Sequence, residues 1–280
     1  MRRTPSYSSI VFVTLGLLLA GMAGCGDDDP AAPDESIEID VAFNLDVDGA
    51  GIVLGNAPNY ANAAGTKYSI SLLRFIVSDL TLHTDDGGSV LVKDVHFYDV
   101  TDASTQRFSV TGLPHANFTH VTFTFGLDEA KNVRDRYKSY TALHNLMQWP
   151  PDMGQDLGYH YMQLEGNYET SPGGPTAGYT THTGAHQIDG VDPAPHHFYF
   201  QVTAPFTPAH IHEGGHGVLE LDFNLNGWYL DHDPGDGIDS QYDFNSLGDQ
   251  MIMANPDAQA KLRANGPFCI SAALTAEDHH

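Results

Sequence analysis

Phe118-Thr-His-Val-Thr-Phe-Thr-Phe125 is the stretch that decides the fold. Side chains of an extended chain point alternately to opposite faces. The run therefore sets Phe118, Val121 or its neighbours, Phe123 and Phe125 against a core, with threonines between. Threonine and aromatic side chains suit a pleated, half-buried surface. On either side the same texture returns. Ile37-Glu-Ile-Asp-Val-Ala-Phe43 and Tyr68-Ser-Ile-Ser-Leu72 alternate, Leu73 to Val77 is continuously apolar, and Val90 to Val100 follows the turn Asp85-Asp-Gly-Gly88. Tyr159 to Glu165, His196 to Val202 and Val218 to Phe223 read as further strands, and Ser171 to Pro175 as a loop. One or two short helices are expected within Asp128 to Leu146. Another covers Asp257 to Arg263 and is stopped by Gly266-Pro267. The fold class is mainly β: an antiparallel β-sandwich or flattened barrel with long loops.

The N-terminus has the composition of an export leader and stands outside the fold. Arg2 and Arg3 precede the apolar run Ile10 to Ala20, and Met22-Ala-Gly-Cys25 is a processing site of lipoprotein type. Residues 1–24 are read as the signal peptide, and Cys25 as the acylated first residue of the mature chain. Residues 25–36, with Asp27-Asp-Asp-Pro30, form a flexible tether, and 37–275 a single β domain. The apolar run is too short for a stable membrane span. Gly26 favours outer-membrane sorting, so the expectation is a lipid-anchored protein facing the periplasm or the cell surface.

Without Arg2 and Arg3, ten basic residues stand against thirty-six acidic ones, a formal charge of −26. That field repels phosphate backbones and excludes nucleic acid as a partner. Two cysteines, one of them Cys25, leave Cys269 without an intramolecular partner and read as a buried small hydrophobe.

Seven of the sixteen histidines lie between His182 and His216. Imidazole is the commonest protein ligand for copper and zinc. His182 and His186 are four apart, and His210 and His212 share a strand face. His216 follows Gly214-Gly215 and is able to fold back towards them. These five are the expected metal ligands. Glu213 is a ligand or an acceptor that fixes a tautomer. His160 is a possible additional ligand; Met147, Met153 and Met162 could offer thioethers but read first as core fillers. His196 and His197 are adjacent, so they face opposite sides of a strand. His96, near Asp94, reads as a satisfied surface residue. Asp231, Asp233, Asp236 and Asp239 space carboxylates among glycines in a possible calcium loop, though not in the EF-hand pattern. Nucleophile elbows, zincin motifs and phosphate-binding glycine loops are absent from the sequence, and no catalytic residue is assigned.

Short phrases in a fixed order carry a family resemblance. They are Tyr60-Ala-Asn-Ala-Ala-Gly65, Leu73-Arg-Phe-Ile-Val-Ser-Asp79, Phe97-Tyr-Asp99, Leu113-Pro114, Phe123-Thr-Phe-Gly-Leu-Asp128, Met147-Gln-Trp149, Gly158-Tyr-His-Tyr-Met-Gln-Leu-Glu-Gly166 and His182-Thr-Gly184. In that order the chain resembles the MbnP-like copper-binding family of bacterial exported proteins, over about residues 38 to 225. The resemblance implies a β-rich lipoprotein that binds copper, as Cu(I), through histidine. It also implies a dihaem peroxidase-like (MbnH-like) partner that oxidises a tryptophan at the site to kynurenine, here Trp149. Pro151 stands where the family often has a second tryptophan, and Leu45 where an early histidine is usual. The expected function is a copper carrier, store or sensor and not an enzyme. The alternatives are a His-ligated Zn or Cu metalloenzyme with an open position, or a calcium-stabilised surface interaction module.

Overall fold

The computed structural model describes residues 36–151, 157–186, 195–235, 239–245, 252 and 255–277, all within one compact unit, Asp34–His280. The strands are β1 (Ser36–Val47), β2 (Ala50–Gly51), β3 (Tyr60–Ala61), β4 (Lys67–Tyr68), β5 (Leu72–Thr84), β6 (Ser89–Asp99), β7 (Arg107–Pro114) and β8 (Ala116–Phe125). After the short helix α1 (Leu143–Met147) come β9 (His160–Glu169), β10 (Thr176–His186), β11 (His196–His197), β12 (Phe200–Ile211) and β13 (His216–Asn224). Helix α2 (Pro256–Asn265) and β14 (Ile270–Glu277) close the chain.

The protein is mainly β, and its curled sheets form a half-barrel. The smaller sheet runs β14-β13-β1-β2, with β7 on the other edge of β1. The larger runs β11-β10-β9-β5-β8-β12, with β6 also on β5. Strand β5 is the organiser. Arg74 to His83 pair with β6 along one edge, while the opposite edge is shared, Leu72 to Phe75 with β9 and Val77 to Thr84 with β8. One pairing departs from the antiparallel expectation: β1 and β13 are parallel, Glu38 opposite His216 through Asp46 opposite Asn224.

Alternation explains the main core. Ile37, Ile39 and Val41 of β1 and Leu219, Leu221 and Phe223 of β13 turn inward. They meet Leu73, Phe75 and Val77 of β5 and Phe123 and Phe125 of β8 in one cluster. Phe75 stacks on Tyr98 at 4.4 Å between ring centroids and on Phe223 at 5.1 Å. The intervening residue Ile76 points the other way, into a second cluster with Phe97, Leu127, Tyr137, Met147, Tyr159 and Tyr161. The segment 126–151 thus covers the outer face of the larger sheet. It is mostly turns, and the five residues of α1 are the one short helix it contains, of the one or two expected there. The C-terminal helix forms where expected, capped by Asn255, whose side chain accepts from the Ala258 N–H.

One single-residue expectation changes. His96 is buried, with its ring 5.0 Å from Phe43 and parallel to it, and its Nε2–H donates to the Thr105 carbonyl at 2.7 Å. Met162 is a filler of the main core, and Met147 of the second cluster, the ordinary role of buried methionine. Cys269 is buried, as expected, with Sγ 3.3 Å from the Asn265 carbonyl.

Candidate metal centre

Trp149 is almost wholly enclosed on the outer face of the larger sheet, at β9 and β10. Its backbone is held at two points and that of its neighbour at a third. The Trp149 N–H donates to the Gly158 carbonyl at 3.1 Å, Arg134 donates to the Trp149 carbonyl at 2.9 Å, and Gln148 bridges Tyr159. Gly158 has φ +69, and an added Cβ there would sit 2.3 Å from Asn132 Oδ1. Only glycine lets the chain turn so closely into β9. The indole lies against the His160 ring, centroids 3.8 Å apart.

A bulge explains how His160 reaches that place. On β9, His160 alternates with Met162 and Leu164, which face the main core. The β9–β10 register pairs Met162 with Thr183 but His160 with Gly184, leaving Tyr161 over. Bulges re-aim side chains in this way. His160 swings to the side of Gln163 and Glu165, whose cross-strand neighbour His182 lies opposite Gln163. The His160 and His182 rings meet edge to face at 5.0 Å.

Hydrogen bonds assign the tautomers. His160 Nδ1 is 3.1 Å from the Met147 carbonyl, an obligate acceptor, so Nδ1 carries the proton. The nearby Gln163 Nε2 spends a hydrogen on the Leu146 carbonyl at 2.9 Å. His160 Nε2 is then a lone pair, buried and without a partner, and the Trp149 Nε1–H beside it is also unpartnered. Burial, and then the adjacent His182, push the His160 pKa down to about 3, against the Met147 carbonyl. The ring stays neutral, its ligand form. His182 Nε2–H donates to Glu165 Oε1 at 2.9 Å and leaves the His182 Nδ1 lone pair open to coordinate. That hydrogen bond holds the Glu165 carboxyl below its ordinary range, against partial burial. A carboxylate orienting an imidazole while the other nitrogen is offered outward is a recurrent metal-site device.

The five histidines expected to converge do not. His182 meets His160. His186 lies four residues further along β10, roughly 13 Å of extended chain, opposite His196. His210 and His212 stand together, rings 4.5 Å apart, and His210 Nδ1 is 2.7 Å from Asn117 Oδ1. Asn117 adjoins Phe118, which pairs with Thr84, whereas His182 lies in the row of Gln163 and Arg74. Ten residues of β5 separate those rows, roughly 30 Å at strand rise. His216 belongs to the smaller sheet. Spacing in sequence could not anticipate this, because β12 runs away from β10 along the sheet.

In the acidic loop the carboxylates of Asp231 and Asp239 have partners within the protein. Asp231 Oδ1 accepts from the Asp233 N–H and the Ser240 hydroxyl, and Asp239 pairs with Lys261 at 3.3 Å. Among the described residues these carboxylates form no group of three around a common point. Asp236, Met153 and Cys25 lie outside the described residues. His197 Nδ1 meets the Tyr161 hydroxyl at 2.8 Å. Asp128 Oδ1 accepts the Lys131 N–H. Glu165 as the His182 acceptor, and Gly184 under the indole, escaped the sequence reading. The strand phrase Tyr159 to Glu165 contained the acceptor, but the bulge that assembles the site leaves no mark in it.

Fold and site together define a class: a two-sheet β protein that sets a pair of imidazoles against a buried indole. The sequence profile of the MbnP family matches residues 36–251. The chain belongs to the MbnP family. Its structure is similar to that of MbnP from Methylosinus trichosporium, with a TM-score of 0.50 and 16% identity over 87% of this chain and 99% of that one. At that identity the likeness concerns the fold. None of the curated proteins compared matches the chain.

Proposed function

We propose that this chain binds copper in the Trp149–His160–His182 pocket and acts as an exported copper carrier, store or sensor subunit. The observation that carries the reading is the buried, unpartnered Nε2 of His160. An orphaned acceptor in the interior costs about 1–3 kcal/mol, and a coordinated ion removes that cost. The donor chemistry fits: neutral imidazole suits copper, and both rings are held by second partners, Met147 and Glu165. Copper, once held, would supply redox and transfer chemistry. The chain's own work is to keep the His160 ring unprotonated, fix both rings through Met147 and Glu165, and exclude water with Trp149.

Two further proposals follow from the family. Cys25 would anchor the mature protein to the outer membrane by lipid, facing the periplasm or the surface. An MbnH-like dihaem peroxidase partner would oxidise Trp149, whose indole already touches His160.

Copper titration of untagged protein tests the reading. One equivalent is expected. His160→Ala and His182→Ala should each lower the affinity at least a hundredfold, while His212→Ala leaves it unchanged. Unchanged affinity in both pocket variants would reject the site. Intact mass should show oxygen gained at Trp149 only on co-expression with the oxidising partner.

A further inference from the structure

The outer face of the smaller sheet carries a second set of converging donors. Register sets Glu38 beside His216 in the β1–β13 pair and His216 opposite Glu277 in the β13–β14 pair. Asp40, two residues beyond Glu38, shares that face. His216 Nδ1 is 2.9 Å from Glu277 Oε2, and His216 Nε2 is 3.6 Å from Asp40 Oδ2. One donor atom each from Glu38, Asp40 and His216 lie within 4.8 Å of one another.

His216 meets Glu277 through Nδ1, and its other ring nitrogen, Nε2, is on the side of Asp40. Among the described residues no lysine or arginine forms an ion pair with Glu38, Asp40 or Glu277. The Asp40 and His216 side chains are only 21% and 16% exposed, so water screens this grouping of electron-rich atoms only in part.

We propose that Glu38, Asp40 and His216 form a binding site for a divalent ion of the Zn²⁺ class, with Glu277 holding the imidazole. One nitrogen and two carboxylate oxygens are three of the four ligands such an ion takes, and the fourth position is left for water. Two carboxylates balance the charge of a dication. Calcium takes six to eight oxygens, more than this face offers. Glu277 stands to His216 as carboxylates stand to histidines in many zinc sites. Three laterally hydrogen-bonded strands supply the groups, so little ordering accompanies binding. The site is on a different sheet from Trp149 and stands apart from the copper reading.

The test is calorimetric titration of the metal-stripped full chain with Zn²⁺, in a His182→Ala background that disables the Trp149 pocket. One equivalent is expected. Asp40→Asn and His216→Ala should each weaken binding at least a hundredfold, and Glu277→Gln roughly 10- to 100-fold. X-ray absorption at the zinc edge should find one imidazole among oxygens. Should His216→Ala fail to fold, the near-isosteric Asp40→Asn and the absorption spectrum decide. Zinc affinity unaltered by Asp40→Asn, or two or more imidazoles on the ion, overturns the proposal.

Discussion

His96 illustrates how a single buried ring ties the fold to pH. It lies between Phe43 and Phe108, and burial lowers its pKa to about 4, with Lys93 adding to the effect and the Thr105 carbonyl opposing it. The unfolded chain takes up that proton near pH 6.5 and the native one near 4. Between those values the unfolded state holds more protons, so stability falls as pH drops through the window, by roughly 3 kcal/mol in full. His96→Gln keeps an N–H for Thr105 but does not titrate. Its urea midpoint, followed from pH 7.5 to 4.5, should decline more gently than the wild type's. Equal slopes would show that His96 is not a source of acid sensitivity. At this scale the sequence was only partly informative. It named His182, His160 and Trp149, but the alternation of His96 with Asp94 suggested a surface ring. Nothing local reports that Phe43 and Phe108 come from β1 and β7 to cover it.

Gly184 stands at the bulge that joins β9 to β10, and there an element's irregularity becomes a site. An added Cβ would lie 2.9 Å from Trp149 Cζ2 and Nε1 and 3.0 Å from the Tyr159 carbonyl. The indole has no room to retreat, since Arg134 and Gly158 fix its backbone. Gly184→Ala should therefore cost about 1–3 kcal/mol by overpacking and shift Trp149 off His160. Copper affinity should fall with it. Chemical denaturation and tryptophan emission would read both, and a silent substitution would mean that the bulge relaxes freely. Strands of apolar and polar alternation (β1, β5, β6, β8 and β13) were legible from sequence. Strands β7, β10 and β14 were not. They are built from Thr, Gly, Ala and Ser as much as from apolar residues, and only tertiary pairing makes them strands. The β10 half of the site was hidden for the same reason.

At the scale of the whole molecule, the fold closes through pairings that no local pattern announces. The parallel seam joins β1 to β13 across most of the chain, and β5 divides one edge between β9 and β8. The two-layer class was readable because several alternating strands must bury one face each; the order of strands was not. Charge adds a second molecular property. Thirty-six acidic residues face twelve basic ones, and among the described residues few ion pairs offset the excess. Lys131 bridges Asp79 and Asp94, and Arg74 pairs with Asp99. A surface pair contributes about 0–1 kcal/mol, whereas self-repulsion acts on the whole compact state and is relieved in the expanded one. Repulsion should win. Raising sodium chloride from about 20 mM to about 300 mM shortens the screening length well below the molecule's width. Tm should then rise by about 3 °C or more, equivalent to roughly 1 kcal/mol for a domain of this size. Calorimetry on metal-stripped protein at fixed pH gives the answer. A Tm that falls with salt would mean that the few bridges, and Lys131 above all, outweigh the acidic field.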